Sequence, residues 1–232
     1  MLTKFLHLSL GSIPRHRLLV KWLEKGVLIV FEGIDGTGKT TQVALLRSHL
    51  EQQGYMVEVF CEPTKTGKWG RQIRELFKYG HTDPQREVDL FVKDREDNVS
   101  RNILPNLVGG KVVIEDRYYW SNAAYQGALG VPVNAILEQN SFAPRPDITV
   151  VIDIPPEQAL ERIRQKRGEL PNQFEELEYL KKVQAIYHRL CADYYPAVQL
   201  IDGNQEPQDV FRDIIALVDP LVSEVASKLT IT

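Results

Sequence analysis

The chain has 232 residues, of which 43% are hydrophobic and 25% charged, the composition of one large α/β domain or two small ones with a sizeable core. A formal net charge of -3 excludes a protein whose main business is coating nucleic acid, which would carry a basic excess, and no apolar run reaches the ~18 residues of a membrane span. Cys61 and Cys191 are the only cysteines and have no Cys/His cluster beside them. That excludes a disulfide framework or a structural zinc site and fits a soluble protein of the reducing cytoplasm.

Residues 1–25 form an N-terminal extension. Its first 23 residues hold Lys4, Arg15, Arg17 and Lys21 but no acid before Glu24, a bias shared with organelle-targeting presequences. Few serines and breaks at Gly11 and Pro14 favour a short extension packed on the domain over a transit peptide; a misplaced start codon is the third reading. From 26 to 232 the pattern is that of one domain. Short β-branched runs at 27–31, 56–60, 112–114, 148–154 and 198–201 are apolar on both faces, as strands of a parallel sheet covered on both sides must be.

Between the strands, 40–53 puts Val43, Leu46 and Leu50 on one helical stripe and ends at Gly54, a suitable C-terminal cap. Similar periodicity marks helices at 88–108, interrupted at Pro105, and at 156–166, 175–192 and 207–225. The expected fold is therefore α/β, a doubly wound P-loop NTPase-type sandwich with a five-stranded parallel sheet and helices on both faces.

Directly after the first strand stands Gly33-Ile34-Asp35-Gly36-Thr37-Gly38-Lys39-Thr40, which satisfies G-x-x-x-x-G-K-[ST] and opens the first crossover helix. The glycines let backbone N–H groups converge on phosphate oxygens, and the helix start adds the positive end of its dipole. Lys39 reaches the β and γ phosphates of a nucleotide, while the Thr40 hydroxyl suits one position on Mg²⁺. The loop names a nucleotide and no reaction; the absence of an Asn/Thr-Lys-x-Asp pattern argues against a GTPase.

Blocks at 31–41, 90–95, 116–127 and 145–153 resemble the thymidylate kinases, and the resemblance runs from about residue 26 to 203. It implies transfer of the γ-phosphoryl group of ATP to dTMP with Mg²⁺, in a homodimer, for dTTP synthesis. Asp116 and Arg117 end the third strand, at the sheet edge where ligands gather in open α/β folds. The resemblance implies that Asp116 faces Mg²⁺ together with Thr40 and that Arg117 holds the acceptor phosphate. Phe91 and Arg95 lie four apart, hence on one helical face. By resemblance, Phe91 stacks on thymine, Arg95 donates to a base carbonyl, Asn122 completes the base edge, and Ser121 belongs to the same acceptor set. Tyr125 resembles the ring beside C2′ that excludes a ribose hydroxyl, and Asp35 the carboxylate that accepts from the 3′-hydroxyl. Thr41 completes the nucleotide-binding loop.

Arg162, Arg164, Lys166 and Arg167 fall where the family has its mobile lid, about 162–175; Arg164 and Arg167 are the candidates for transition-state charge, since the P-loop carries no arginine. Two departures stand out. Cys61 occupies the place of a family arginine, so that Arg74 or Arg71 would have to compensate, and the lid's usual Asp-Arg step reads Pro171-Asn172. A deoxynucleoside kinase or another nucleoside monophosphate kinase is the enzyme alternative; the former needs a carboxylate to take a hydroxyl proton, and Glu62 could serve. A nucleotide-binding protein without catalysis is the remoter one.

Overall fold

The computed structural model describes residue 23 and residues 25–78, 83–167 and 177–227, with backbone only at 166, 167 and 227. Five strands, β1 (Val27–Glu32), β2 (Val57–Cys61), β3 (Val112–Asp116), β4 (Ile148–Asp153) and β5 (Val198–Asp202), form one sheet in the order β2-β3-β1-β4-β5 with every pairing parallel. Around it lie α1 (Lys39–Gln52), α2 (Lys68–Lys78), α3 (Pro84–Asn98), α4 (Leu104–Val108), α5 (Tyr119–Ala128), α6 (Val133–Gln139), α7 (Pro156–Arg167), α8 (Leu177–Asp193) and α9 (Pro207–Ser227).

Strand alternation sorts the core into two layers. Val27, Ile29 and Phe31 of β1, Val112 and Ile114 of β3, and Ile148, Val150 and Ile152 of β4 face Leu46 and Leu50 of α1 and Ile214 and Val218 of α9. The other face, with Leu28, Val30, Val113 and Val151, packs on Val88 of α3, Ala123 of α5 and Leu180 and Val183 of α8. A fully buried leucine such as Leu46 is worth ~2–5 kcal/mol against alanine. The outer strands β2 and β5 are less covered, and Leu200 of β5 is exposed.

The five strands and the doubly wound architecture match the expectation, with bounds moved by one or two residues. Helices α2, α5 and α6 add to it. The predicted 88–108 helix starts earlier, at Pro84, where the Asp83 carboxylate accepts from Gln85 N and Arg86 N as an N-cap. It is not broken at Pro105. A π-helical stretch, Val99–Ile103, joins α3 to α4, and the Leu104 N–H bonds Val99 O. Widening the ring carries the axis past a proline that has no N–H to give.

Chain order puts the functional edge at the C-terminal end of β1. The chain leaves β1 for β2, returns through β3 on one side of β1 and later adds β4 on the other. The crevice at such a switch point is where open α/β sheets bind ligands. Of the N-terminal segment, Leu23 is buried in the β1 face of the core and its N–H bonds Gly110 O at 3.4 Å; residues 1–22 lie outside the described residues.

Candidate active site

The loop between β1 and α1 is shaped for close backbone approach. Gly33 has φ +131, and a Cβ there would meet Ile152 O at 2.4 Å; Gly36 has φ +85, and a Cβ would meet Ala159 O at 2.5 Å. Both conditions demand glycine. Lys39 folds back so that its Nζ donates to Gly33 O (3.0 Å) and Ile34 O (2.8 Å). Burial, and then the Arg117 charge, push its pKa down to about 8. The loop opens onto a cavity of about 680 Å³ lined by residues 35–42, Cys61, Glu62, Asp116, Arg117, Arg162, Ile163, Gly203, Gln205, Glu206, Pro207 and Val210.

At its floor, Thr40 Oγ1 donates to Asp116 Oδ2 at 3.1 Å. A hydroxyl and one carboxylate beside a phosphate loop fit Mg²⁺, which keeps several waters and takes phosphate oxygens as further ligands. Among the described residues no cluster of three or more His, Cys, Asp or Glu could cage a metal.

A second cavity, of about 360 Å³, is lined by Asp35, Glu62, Pro63, Arg74, Phe77, Phe91, Arg95, Arg117, Tyr118, Ser121, Asn122, Tyr125 and Gln126. Asp35, Glu62 and Arg117 belong to both walls. Arg117 therefore stands at the junction. Its backbone is left-handed (φ 72), uncommon for a residue with a side chain and typical of functional turns, and its N–H bonds Phe31 O at 2.9 Å. The guanidinium donates to Ser121 Oγ (3.0 Å) through Nη1 and to Asp35 through Nη2, and it lies 5.1 Å from the Tyr125 ring centroid.

Phe91 and Phe77 face one another across the apolar end, centroids 6.0 Å apart. Behind them Arg95 is fully buried. Its Nη1 donates to Asn140 and its Nη2 to Glu62 and Asn122 (2.9 Å to the latter), while its Nε has no partner. Asn98 Nδ2 then bridges Glu62 Oε1 (3.2 Å) and Glu115 Oε1 (3.0 Å). Burial raises the pKa of Glu62 against the opposing pull of Arg95; burial and then the Glu62 charge raise that of Glu115 further. Removing one member of such a buried pair costs roughly 3–5 kcal/mol.

A phosphate loop that shares a wall with an aromatic-ended pocket is the layout of a phosphotransferase with its own acceptor site, and the comparisons decide which. The profile of the family described as Thymidylate kinase matches residues 31–214. The chain belongs to the thymidylate kinase family. It is 43% identical over 198 residues to the thymidylate kinase of Desulfotalea psychrophila, covering 85% of this chain and 96% of that one. To the thymidylate kinase of Xanthomonas campestris pv. campestris it is 43% identical over 206 residues, 89% of this chain and 87% of the relative. With that of Xanthomonas euvesicatoria pv. vesicatoria the figures are 39% over 205 residues, 88% and 87%.

Most residues expected from the thymidylate kinase resemblance converge here. Asp35, Gly36, Thr37, Gly38, Lys39, Thr40, Thr41 and Asp116 line the first cavity, with Gly33 and Ile34 behind it as carbonyl partners of Lys39. Phe91, Arg95, Arg74, Ser121, Asn122 and Tyr125 line the second. Arg74, rather than Arg71, reaches that wall, and it is tied to Thr64 O (2.8 Å) and Lys65 O (2.6 Å). Arg162 lines the first cavity, whereas Arg164 is exposed and lines neither. The Arg167 side chain and Pro171-Asn172 lie outside the described residues. Sequence reasoning did not single out Glu32, Glu115, Asn98, Gln126 or Asn140. A glutamate in a strand that is otherwise apolar on both faces, as in β1 and β3, was the signal available for the first two.

Proposed function

We propose that the protein transfers the γ-phosphoryl group of ATP to dTMP, giving ADP and dTDP. The observation that supports this best is the shared wall: Arg117 and Asp35 border both the phosphate-loop cavity and the aromatic-ended pocket. A donor in one and an acceptor in the other would meet at Arg117. The reading also agrees with the names of the relatives.

In this reading the P-loop amides, residues 36–41, cradle the donor phosphates, and Lys39 leaves the Gly33 and Ile34 carbonyls to neutralise β and γ oxygens. Thr40 and Asp116 would hold Mg²⁺, which supplies charge neutralisation on the bridging phosphates. Arg117 presents a planar fork to the acceptor phosphate. Phe91 stacks on thymine, with Arg95 and Asn122 at its polar edge. Asp35 accepts from the 3′-hydroxyl, and Tyr125 fills the space a 2′-hydroxyl would need. The acceptor phosphate is already ionised at neutral pH, so no general base is required and rate comes from positioning and charge. Arg162 joins Arg164 and Arg167 as a candidate for the charge that closes over ATP.

The deoxynucleoside kinase alternative needs a free carboxylate at the junction. Glu62 is there, but it is buried and engaged by Arg95 and Asn98, which disfavours that role. We further infer a cytoplasmic homodimer whose catalytic domain spans 26–232 with 1–25 as an extension; family resemblance supports the dimer, and the two-cysteine composition fits the reducing compartment. A coupled assay of ADP release across dTMP, dUMP, UMP, CMP and thymidine tests the acceptor. Release with dTMP far above the rest is expected; preference for thymidine would replace the reading with a nucleoside kinase.

A further inference from the structure

Glu32 is a fully buried carboxylate at the end of β1, outside the set of residues assigned to either substrate. Its Oε1 accepts from Tyr118 N (2.8 Å) and Ser121 N (3.1 Å), the first turn of α5, whose N-cap residue supplies no side-chain bond of its own. Its Oε2 accepts from Ser121 Oγ (2.5 Å) and Tyr187 Oη (2.9 Å). Four donors therefore converge on Glu32, which in its ionised form is an acceptor-only group.

This fixes the direction of the next bond. Ser121 has a single hydroxyl proton, and the carboxylate takes it. The oxygen then has only lone pairs to offer Arg117 Nη1 at 3.0 Å. Tyr187 Oη, 3.2 Å from the same oxygen, likewise points its proton at Glu32. Of the other holds on Arg117, Tyr125 Oη accepts from Nη2 only at 3.4 Å, and Asp35 is the more exposed of the two ion-pair partners and in the reading above is also required by the sugar. Ser121 is buried on the wall of the acceptor cavity, and its hold on Arg117 is backed from the core by Glu32.

We propose that Glu32 is a positioning residue for Arg117, acting through the Ser121 hydroxyl to aim the guanidinium at the acceptor phosphate. The proposal rests on the dTMP kinase reading. A helix cap alone would steady α5, which carries Asn122 and Tyr125 of the acceptor pocket, through the Tyr118 and Ser121 amides and without need of the Ser121 hydroxyl, whereas the Glu32–Ser121–Arg117 relay requires that hydroxyl. Glu32→Gln keeps one oxygen for the two amides but replaces the Oε2 acceptor by an NH₂ donor or its equivalent, which breaks the proton order at Ser121.

The test is steady-state kinetics on the full chain with ATP and dTMP varied separately. Glu32→Gln and Ser121→Ala should each raise the dTMP KM about tenfold and lower kcat, with the ATP KM within about twofold of wild type. The double variant should be no worse than the worse single one, because both cut the same relay. Tyr187→Phe removes one donor to Glu32 without touching the Ser121–Arg117 bond and should leave both KM values within about twofold. If Glu32→Gln does not fold, Glu32→Asp, one methylene short of Ser121, should give the same acceptor-specific rise. A folded Glu32 variant with normal dTMP kinetics, a parallel loss for ATP and dTMP, or multiplicative losses in the double variant would overturn the proposal. A wild-type protein with no dTMP-dependent ADP release would overturn the acceptor reading and this proposal with it, so the two failures are distinct.

Discussion

Lys39 offers a prediction in which the magnitude follows from the free protein. With its ammonium buried against two carbonyls and its pKa at about 8, the free protein loses this proton in a range where an exposed lysine keeps it. Bound ATP places the β and γ phosphate charges beside Nζ and restores the charged form. The sign follows: the complex holds more protons than the free protein between pH 8 and the restored pKa, so raising pH weakens binding. At pH 7 about nine in ten free molecules carry the proton and at pH 9 about one in ten, so ATP affinity should fall roughly tenfold, ~1.4 kcal/mol. At pH 8.5 binding should take up about three-quarters of a proton, and the nucleotide contributes none because its last phosphate ionises near pH 6. Titration calorimetry at pH 8.5 in two buffers of different ionisation enthalpy reads that number directly, and Lys39→Gln should abolish it. Uptake near zero in the wild-type protein, or the same uptake in Lys39→Gln, would refute the placement of Lys39 on the phosphates.

Sugar choice should separate Tyr125 from Asp35. Tyr125→Ala should improve ribothymidine monophosphate relative to dTMP by roughly 10- to 200-fold, the worth of a steric wall, while Tyr125→Phe keeps the ratio because it keeps the bulk. Asp35→Asn should weaken both acceptors together, since it loosens Arg117 and the 3′-hydroxyl contact common to both sugars; kcat/KM for the two acceptors on all three variants checks the pattern, and a ratio that moves with Asp35 but not Tyr125 reverses it. A chain beginning at Lys21 should fold and turn over normally because it retains Leu23, whereas one beginning at Gly26 loses a buried core side chain and should melt several degrees lower, with ~2 kcal/mol lost. Equal melting temperatures would show that Leu23 contributes nothing.

The phosphate loop was legible because backbone geometry dictates its glycines, and the sheet because buried parallel strands must be apolar on both sides. Most of what escaped depends on partners distant in sequence. In α5, eight consecutive residues from Tyr119 to Gln126 are buried, so no amphipathic stripe marks it. Its cap is Glu32, 86 residues before Tyr118, and no local capping signature precedes it. In α2 the interruption by Gly70 hides the helix from propensity; the structure explains the glycine, since a Cβ would lie 2.0 Å from Thr64 O. Arg95 lines the second cavity, yet its burial against Glu62, Asn122 and Asn140 depends on residues 27 to 45 positions away. The lid arginines were read from charge and from the place of the family's lid, and neither says that Arg162 rather than Arg164 lines the cavity.

The central claim is the fate of one phosphoryl group. With ATP labelled in the γ position, Mg²⁺ and dTMP, the label should pass into dTDP in step with ADP release and should not pass without dTMP. Label found in inorganic phosphate at the same rate with or without dTMP, or transferred to thymidine in preference to dTMP, would contradict it.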